Sequence, residues 1–219
     1  MKTTVIDNFM SDDELFEIER SFRINYDTKF WKEATEQENV AHAWYWYPGP
    51  SYQEEICYYM NKKVNAVFGN NNYCDNWHIL HAYKPYGIHT DAYDEVQDSY
   101  THSLPENHKF GWTFIIPLDD YDTNTIIFNE QSEHLKVVDN WIARENRQPQ
   151  GLITDEQYEK YLTHHSRHTV DYFSIESAIP WKKGRLIAMP RAAFHCSDNF
   201  VKKKLVEKRA LIGWTWIVE

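Results

Sequence analysis

The sequence contains few cysteines and no long apolar run. Its three cysteines, Cys57, Cys74 and Cys196, are an odd number without a C-x-x-C pair, so neither a disulfide framework nor a thiolate zinc site is indicated. No stretch approaches the roughly 18 apolar residues of a membrane span, and the N-terminal residues lack the apolar run of a signal peptide. We therefore expect a soluble protein of a reducing cytoplasm, without a membrane partner.

Basic residues are outnumbered by acidic ones. The chain has 23 Lys and Arg against 33 Asp and Glu, which gives a formal net charge of -10. This balance disfavours a general binder of the phosphate backbone, and no nucleic-acid partner is expected. One basic cluster, KKKLVEKR, lies at residues 202–209. It is interpreted either as a solvated hairpin tip or as a local nucleic-acid-binding patch, and the hairpin tip is the simpler interpretation.

Aromatic residues are abundant. They make up 16% of the 219 residues, and hydrophobic residues make up 42%. This composition excludes a disordered chain and is rich in residues that favour strands. The sequence contains no internal repeat, low-complexity tract or Pro/Gly-rich linker that would mark a boundary. We therefore expect one domain over residues 1–219.

Residues 1–75 are expected to support a larger core with a short strand and two helices. Ser11 and Glu14 form the capping box that opens the first helix. A second helix is predicted over residues 51–68, because its apolar residues keep helical spacing and Gly69 follows them.

From residue 76 onward, short alternating runs replace the helical spacing. Turn formers and not helices separate most of them, which predicts a mainly β fold with flanking helices (α+β), arranged as an antiparallel sandwich or barrel. Strands are expected at residues 77–83, 109–118, 124–130, 184–190 and 208–219. A polar, partly helical insertion, with a capping box at Thr154 and Gln157, is expected to interrupt this core of residues 76–219 at about residues 130–181.

The stretch KPYGIHTDAY, residues 84–93, contains a His-x-Asp pair, His89 and Asp91. Residues two apart on a strand point the same way, so both side chains can reach a single ion. Two histidines and a carboxylate on one face of an octahedron suit non-haem Fe(II). The candidate third ligand is His195, because it follows a turn and a strand about one hundred residues later. A lone His-x-Asp is expected by chance in such a chain, so the third ligand decides the interpretation.

Other histidines lack such a setting. His164 and His168 would be four residues apart on a helix and could bind a metal, but a surface helix in the insertion explains them and His165 more simply. His78 and His81 fall on opposite faces of one predicted strand, so at most one could line a cavity. A hydrogen-bonded core histidine is the simpler interpretation of either.

Three segments, in order, resemble the 2-oxoglutarate- and Fe(II)-dependent oxygenases. YKPYGIHTD is similar to the prolyl-4-hydroxylase-type stretch, which places Tyr83 and Tyr86 on the family's tyrosine positions. TFIIPLDD followed by TIIFNE resembles the pair of central strands, with TN where the family usually has Gly-Gly. WKKGRLIAMPRAAFHCSDNF is very similar to the distal-histidine segment of hydroxylases from marine viruses and environmental sequences, and this match strengthens His195 as a ligand.

The resemblance implies a double-stranded β-helix (jelly-roll, cupin-like) core that binds Fe(II), 2-oxoglutarate and O2. It implies His89, Asp91 and His195 as metal ligands and Tyr83 as a hydrogen-bond donor to 2-oxoglutarate. It also implies a basic residue that holds the distal carboxylate of 2-oxoglutarate, either Lys208, which we favour, or Arg209, which offers a bidentate fork. Strand alternation sends Lys208 and Arg209 to opposite faces, so only one can do this.

The activity that the resemblance implies is hydroxylation of a peptidyl proline or a small molecule, coupled to conversion of 2-oxoglutarate to succinate and CO2. The insertion either covers the pocket as a lid, contributing His164, His165 or Trp141, or caps only the outside of the barrel. Two alternatives stay open: a non-catalytic jelly-roll binding module, and a cupin-type metalloenzyme that does not use 2-oxoglutarate. The prime substrate and the oligomeric state are left open.

Overall fold

The structure, a computed structural model, describes residues 1–24, 32–33, 43–46, 50–69, 71–74, 77–92, 108–133 and 137–218. The helices are α1 (Asp12–Ile24), α2 (Pro50–Phe68), α3 (Val138–Arg144), α4 (Asp155–Gln157) and α5 (Arg167–Val170), with a π-helix at Tyr158–Leu162 and a 3-10 helix at Phe200–Lys203. The strands are β1 (Thr4–Ile6), β2 (Lys32–Glu33), β3 (Ala43–Trp46), β4 (Asn72–Tyr73), β5 (His78–Ala82), β6 (His108–Pro117), β7 (Asn124–Gln131), β8 (Ile175–Pro180), β9 (Leu186–Pro190), β10 (Ala193–Ser197) and β11 (Lys208–Val218).

The first helix begins at the predicted capping box, and the second spans the predicted residues to within one position. At the start of α1, the backbone N–H of Ser11 donates to the Glu14 carboxylate, and the N–H of Glu14 donates to the Ser11 hydroxyl. Helix α2 ends at Phe68, and Gly69 follows it with a φ of +93° that suits glycine. Among the described helices, none is long and apolar enough to span a membrane.

Two antiparallel sheets form the core. Among the described residues, the larger sheet has eight strands in the order β1-β9-β6-β11-β5-β3-β2, with β4 beside β11, and the smaller has the order β10-β7-β8. Every described strand pairing is antiparallel. This arrangement confirms the mainly antiparallel β fold that the alternating runs predict.

Alternation along the strands sorts the apolar residues into three layers. On β6, Phe114 and Ile116 pack against α1 and α2, whereas Ile115 faces the smaller sheet. On β7, Ile127 faces the larger sheet, whereas Phe128 packs against the helical segment between β7 and β8. The interior between the sheets is therefore covered by α1 and α2 on one side and by this segment on the other.

The expected insertion at about residues 130–181 is shorter than predicted. Its helices lie between Val138 and Val170, and the segment then ends in β8, which pairs with β7 as part of the smaller sheet. Strand β8 lies at the sheet edge and is largely half-exposed, so its sequence lacks the alternation that marks a strand. The capping box at Thr154 and Gln157 is confirmed.

Candidate functional site

The backbone holds His89 and His195 face to face. The N–H of His89 donates to the carbonyl of His195 at 3.0 Å, and the N–H of His195 donates to the carbonyl of His89 at 2.9 Å. This reciprocal pair is an isolated antiparallel bridge that adds the His89 segment to the free edge of β10. The two imidazole ring centroids lie 4.4 Å apart as a result.

Each imidazole is oriented by a backbone carbonyl two residues earlier in the chain. Nδ1 of His89 lies 2.7 Å from the carbonyl oxygen of Gly87, and Nδ1 of His195 lies 3.1 Å from that of Ala193. A carbonyl oxygen only accepts hydrogen bonds, so Nδ1 carries the proton in both rings. The lone pair is then on Nε2, which is the arrangement of a histidine prepared to bind a metal.

Asp91 completes the group and is held by β6 and by the turn after β9. Its Oδ1 lies 3.8 Å from Nε2 of His89, and its Oδ2 lies 3.4 Å from Nε2 of His195. The hydroxyl of Thr113 on β6 donates to Oδ2 at 2.6 Å. The guanidinium of Arg191 donates to the backbone carbonyl of Asp91 from Nε and Nη2, and the Asp91 N–H donates to the Arg191 carbonyl.

His89, Asp91 and His195 fit a divalent ion of the Fe(II) type. One ligand atom from each lies within 4.8 Å of the others. Ligand atoms at right angles around an ion, with bonds of about 2.1 Å, lie about 3 Å apart. Small side-chain movements would therefore bring these three ligand atoms to the distances that a bound ion requires. Two neutral imidazoles and a carboxylate are the donor set that suits non-haem Fe(II).

Lys208, the first residue of β11, lies in the interior of the fold. Its side chain is only 2% exposed, and its ammonium lies 4.0 Å from the ring centroid of Trp181 and 5.0 Å from that of Phe200. Burial lowers the pKa of Lys208 to about 7, although the Asp198 carboxylate opposes this shift. Among the residues that the structure describes, none forms an ion pair with Lys208.

Arg209 points to the opposite face, as strand alternation requires. Its guanidinium donates to Glu19 at 2.7 Å and to Asp119 at 3.1 Å. These contacts tie β11 to α1 and to the turn after β6. Of the two candidate anchors, Lys208 is therefore the one that the fold places in the interior.

No protein-family model and no curated protein sequence matches the chain. Solved structures do match. The non-haem α-ketoglutarate-dependent carbocyclase SnoK from nogalamycin biosynthesis is 13% identical, with a TM-score of 0.57 over 97% of this chain and 79% of SnoK. A 2OG-Fe(II) oxygenase family protein from Burkholderia pseudomallei is 12% identical, with a TM-score of 0.57 over 98% of this chain and 85% of its own.

A prolyl-4-hydroxylase from Pseudomonas putida also matches, at 9% identity and a TM-score of 0.51 over 98% of this chain and 91% of the hydroxylase. The chain has the fold of the 2-oxoglutarate oxygenases. The double-stranded β-helix that the resemblance implies is therefore confirmed. In this oxygenase fold, the two sheets are the two faces of the β-helix, and the His89, Asp91 and His195 group lies at the edge of the smaller one.

Tyr83 lies away from the centre of the oxygenase fold. Its side chain is 37% exposed, and its hydroxyl lies 3.3 Å from Nδ1 of His81, whose Nε2 pairs with Glu207. Tyr86, by contrast, packs against the interior cluster, with its ring centroid 5.8 Å from that of His89. The assignment of Tyr83 to 2-oxoglutarate stays a prediction, and Tyr86 is the tyrosine that the fold brings nearer.

The expectation of a surface helix for the histidines of the insertion is wrong for two of them. His164 and His165 are half-buried in the turn between the π-helix and α5, so His164 and His168 do not share a helix. Nε2 of His164 lies 3.3 Å from the backbone carbonyl of Tyr86. Burial lowers the pKa of His164 to about 4 and that of His165 to about 3. Of these three histidines, only His168 is exposed.

The basic cluster at residues 202–209 does not form one charged surface. Lys202 pairs with Glu159, and Lys203 pairs with Asp122 and Asp198. Lys208 is buried, as described above. The acidic partners neutralise much of this charge, which is consistent with a local role in tying loops together.

Sequence reasoning missed the two residues that hold Asp91. Thr113 lies within a predicted strand and Arg191 lies in the turn after another, and neither is part of a recognisable motif. Thr113 pairs with Met189 across β6 and β9, which places it beside the turn that carries Arg191. Only the pairing of β6 with β9 indicates that Thr113 and Arg191 lie together beside Asp91.

Proposed function

We propose that this chain is an Fe(II)- and 2-oxoglutarate-dependent oxygenase, a non-haem iron dioxygenase. The observation that carries the proposal is the group of His89, Asp91 and His195, whose ligand atoms lie within 4.8 Å of one another and whose rings both present Nε2. When bound, Fe(II) and 2-oxoglutarate would supply the oxidation: one O2 and one 2-oxoglutarate convert a substrate C–H to C–OH and leave succinate and CO2.

In this proposal, the chain's own residues hold and orient the reactants. His89, Asp91 and His195 hold the ion on one side and leave its other positions open. Thr113 and Arg191 fix the direction of the Asp91 carboxylate and backbone. The aromatic rings of Trp181 and Phe200 around Lys208 exclude water from the place where the cosubstrate would lie.

Lys208 is proposed to bind the distal carboxylate of 2-oxoglutarate. In the free protein, burial of the Lys208 ammonium without an ion-pair partner among the described residues is costly, and an incoming carboxylate would relieve this cost. Arg209 already has two carboxylate partners on the outer face, so it is the weaker candidate.

The prime substrate is proposed to be a peptidyl proline or a small molecule. The hydroxylase from Pseudomonas putida and SnoK, a carbocyclase, share the fold, so the fold does not distinguish these substrates. The segment between β7 and β8 borders the metal-ligand stretch: Val137 bridges to His89, and His164 contacts the Tyr86 carbonyl. Its apolar residues pack on the outer face of the smaller sheet, so we propose a cap on the outside of the barrel whose edge borders the metal-ligand stretch.

The proposal is tested by anaerobic titration of the metal-free protein with Fe(II) and then with 2-oxoglutarate. We expect the visible metal-to-ligand charge-transfer band of a chelated 2-oxo acid. His195→Ala should abolish the band and succinate formation, whereas His168→Ala, a matched change at an exposed histidine, should retain both.

Three outcomes would contradict the proposal in different ways. Retained turnover in His89→Ala or His195→Ala would refute the ligand assignment. Iron binding without a band in the folded wild type would indicate a cupin-type enzyme that does not use 2-oxoglutarate. Failure to bind iron at all would indicate a binding module.

A further inference from the structure

A second cluster of metal-binding side chains lies beside the candidate iron centre. His164, His165 and Cys196 each offer one ligand atom, and these atoms lie within 4.8 Å of one another. None of them belongs to the His89, Asp91 and His195 group. We propose that His164, His165 and Cys196 form a second metal site, and that its ion is Zn²⁺.

The fold places the two sites on opposite faces of one strand. On β10, His195 pairs with Ile127 of β7, and both face the interior. The next residue, Cys196, pairs with Ile126, and both face the helical segment between β7 and β8. Cys196 is buried in that outer cluster together with Leu162, the last residue of the π-helix. The chain then turns and presents His164 and His165 to the sulfur, so one strand carries a ligand for each site.

The two imidazoles have ring nitrogens that lack a partner. Nδ1 of His164 and Nε2 of His165 are buried, and neither has a hydrogen-bond partner in the described part of the chain. Nε2 of His164 faces the carbonyl oxygen of Tyr86, which only accepts, so the lone pair of His164 is on Nδ1. Leaving such atoms unpaired in a protein interior is costly, and a metal ion would satisfy both.

The donor set indicates the kind of ion. Two imidazole nitrogens and a thiolate sulfur suit Zn²⁺, whereas Mg²⁺ and Ca²⁺ require oxygen ligands. With Zn–N bonds of about 2.1 Å and Zn–S bonds of about 2.3 Å, tetrahedral ligand atoms lie about 3.4 to 3.6 Å apart, so the cluster needs to contract by at most about 1.4 Å. Binding forms one Zn–S and two Zn–N bonds and releases the Cys196 thiol proton to solvent.

This site has no local sequence signature. The chain lacks a C-x-x-C pair, and Cys196 lies far from His164 and His165 in sequence. The π-helix at Tyr158–Leu162 directly precedes the two histidines. Such helices are rare and frequently lie at functional sites, which agrees with a ligand role for the turn that follows.

The proposal is tested by loading the metal-free full-length protein with Co²⁺, a spectroscopic substitute for Zn²⁺, and counting bound Zn²⁺ by elemental analysis. We expect a near-ultraviolet thiolate-to-Co²⁺ charge-transfer band, which an ion held by His89, Asp91 and His195 cannot produce. The band should persist in His89→Ala, so the result is independent of the proposed oxygenase activity. Cys196→Ser should lose the band and one bound Zn²⁺.

Cys57→Ser is the matched control, since Cys57 is also buried but lies on α2, on the far side of the larger sheet. It should keep the band. If Cys196→Ser does not fold, His165→Gln retains the thiol and should weaken Co²⁺ binding at this site at least tenfold. A folded wild type without the band at saturating Co²⁺, a band that persists in Cys196→Ser, or unchanged Co²⁺ affinity in His165→Gln would overturn the proposal.

Discussion

If Lys208 binds 2-oxoglutarate as proposed, its burial predicts how the affinity for 2-oxoglutarate depends on pH. Burial lowers the pKa of this ammonium from 10.5 to about 7 in the free protein. A bound carboxylate favours the charged form and raises the pKa again. Above pH 7 the free protein carries a neutral amine, so binding requires uptake of one proton. Affinity should therefore be highest below pH 7 and fall as the pH rises.

The size of this pH dependence follows from the lowered pKa of Lys208 in the free protein. With a free-state pKa of about 7 and a bound-state pKa returned close to the ordinary value of a lysine, the affinity at pH 9 should be about 50-fold lower than at pH 7, or about 2.3 kcal/mol. Anaerobic calorimetry of the metal-loaded protein measures this affinity. Repeating it in two buffers of different ionisation enthalpy gives the proton uptake, which should approach one per 2-oxoglutarate at pH 9.

Two variants isolate Lys208 as the cause. Lys208→Arg keeps the charge at every pH in this range, so its affinity should vary little between pH 7 and pH 9. Arg209→Gln removes the neighbouring charge on the outer face and should preserve the wild-type dependence. A pH-independent wild type, or a dependence that persists in Lys208→Arg, would refute the reasoning. Loss of binding in Arg209→Gln would assign the anchor to Arg209.

Two further changes test the residues that shape the centre and the fold. Thr113→Val removes the hydroxyl that donates to Asp91 and should weaken metal binding about tenfold in a Mn²⁺ or Fe(II) titration; unchanged affinity would contradict the role of Thr113. Gly184→Ala should lower the free energy of unfolding in urea by about 3 kcal/mol, because φ is +70° and a Cβ would collide with the Met10 carbonyl. Gly69→Ala, with a positive φ but open space, should cost only about 1 kcal/mol, and equal losses at both sites would exclude the collision as the cause.

The grouping of His89, Asp91 and His195 could be predicted because each lies on or beside a strand with a clear pattern. The opposite directions of Lys208 and Arg209 followed from alternation alone. These features depend on local periodicity, which the sequence displays directly.

The environment of the insertion could not be predicted in the same way. His164 and His165 lie in a polar stretch, and their burial depends on how that stretch packs on β10 and on the backbone of Tyr86. Strand β8 could not be predicted from the sequence for a related reason, since an edge strand with half-exposed residues lacks an alternating pattern of apolar and polar residues. Contacts between segments distant in sequence leave no local signal.

The backbone bridge between His89 and His195 joins segments about a hundred residues apart in the chain. Closing so long a loop has a large entropic cost, which is recovered only when the sheets have formed around it. An ion at this centre would therefore meet its three ligands together only in a nearly native chain. Metal would slow the unfolding of the protein without accelerating its folding, and would therefore increase its kinetic stability.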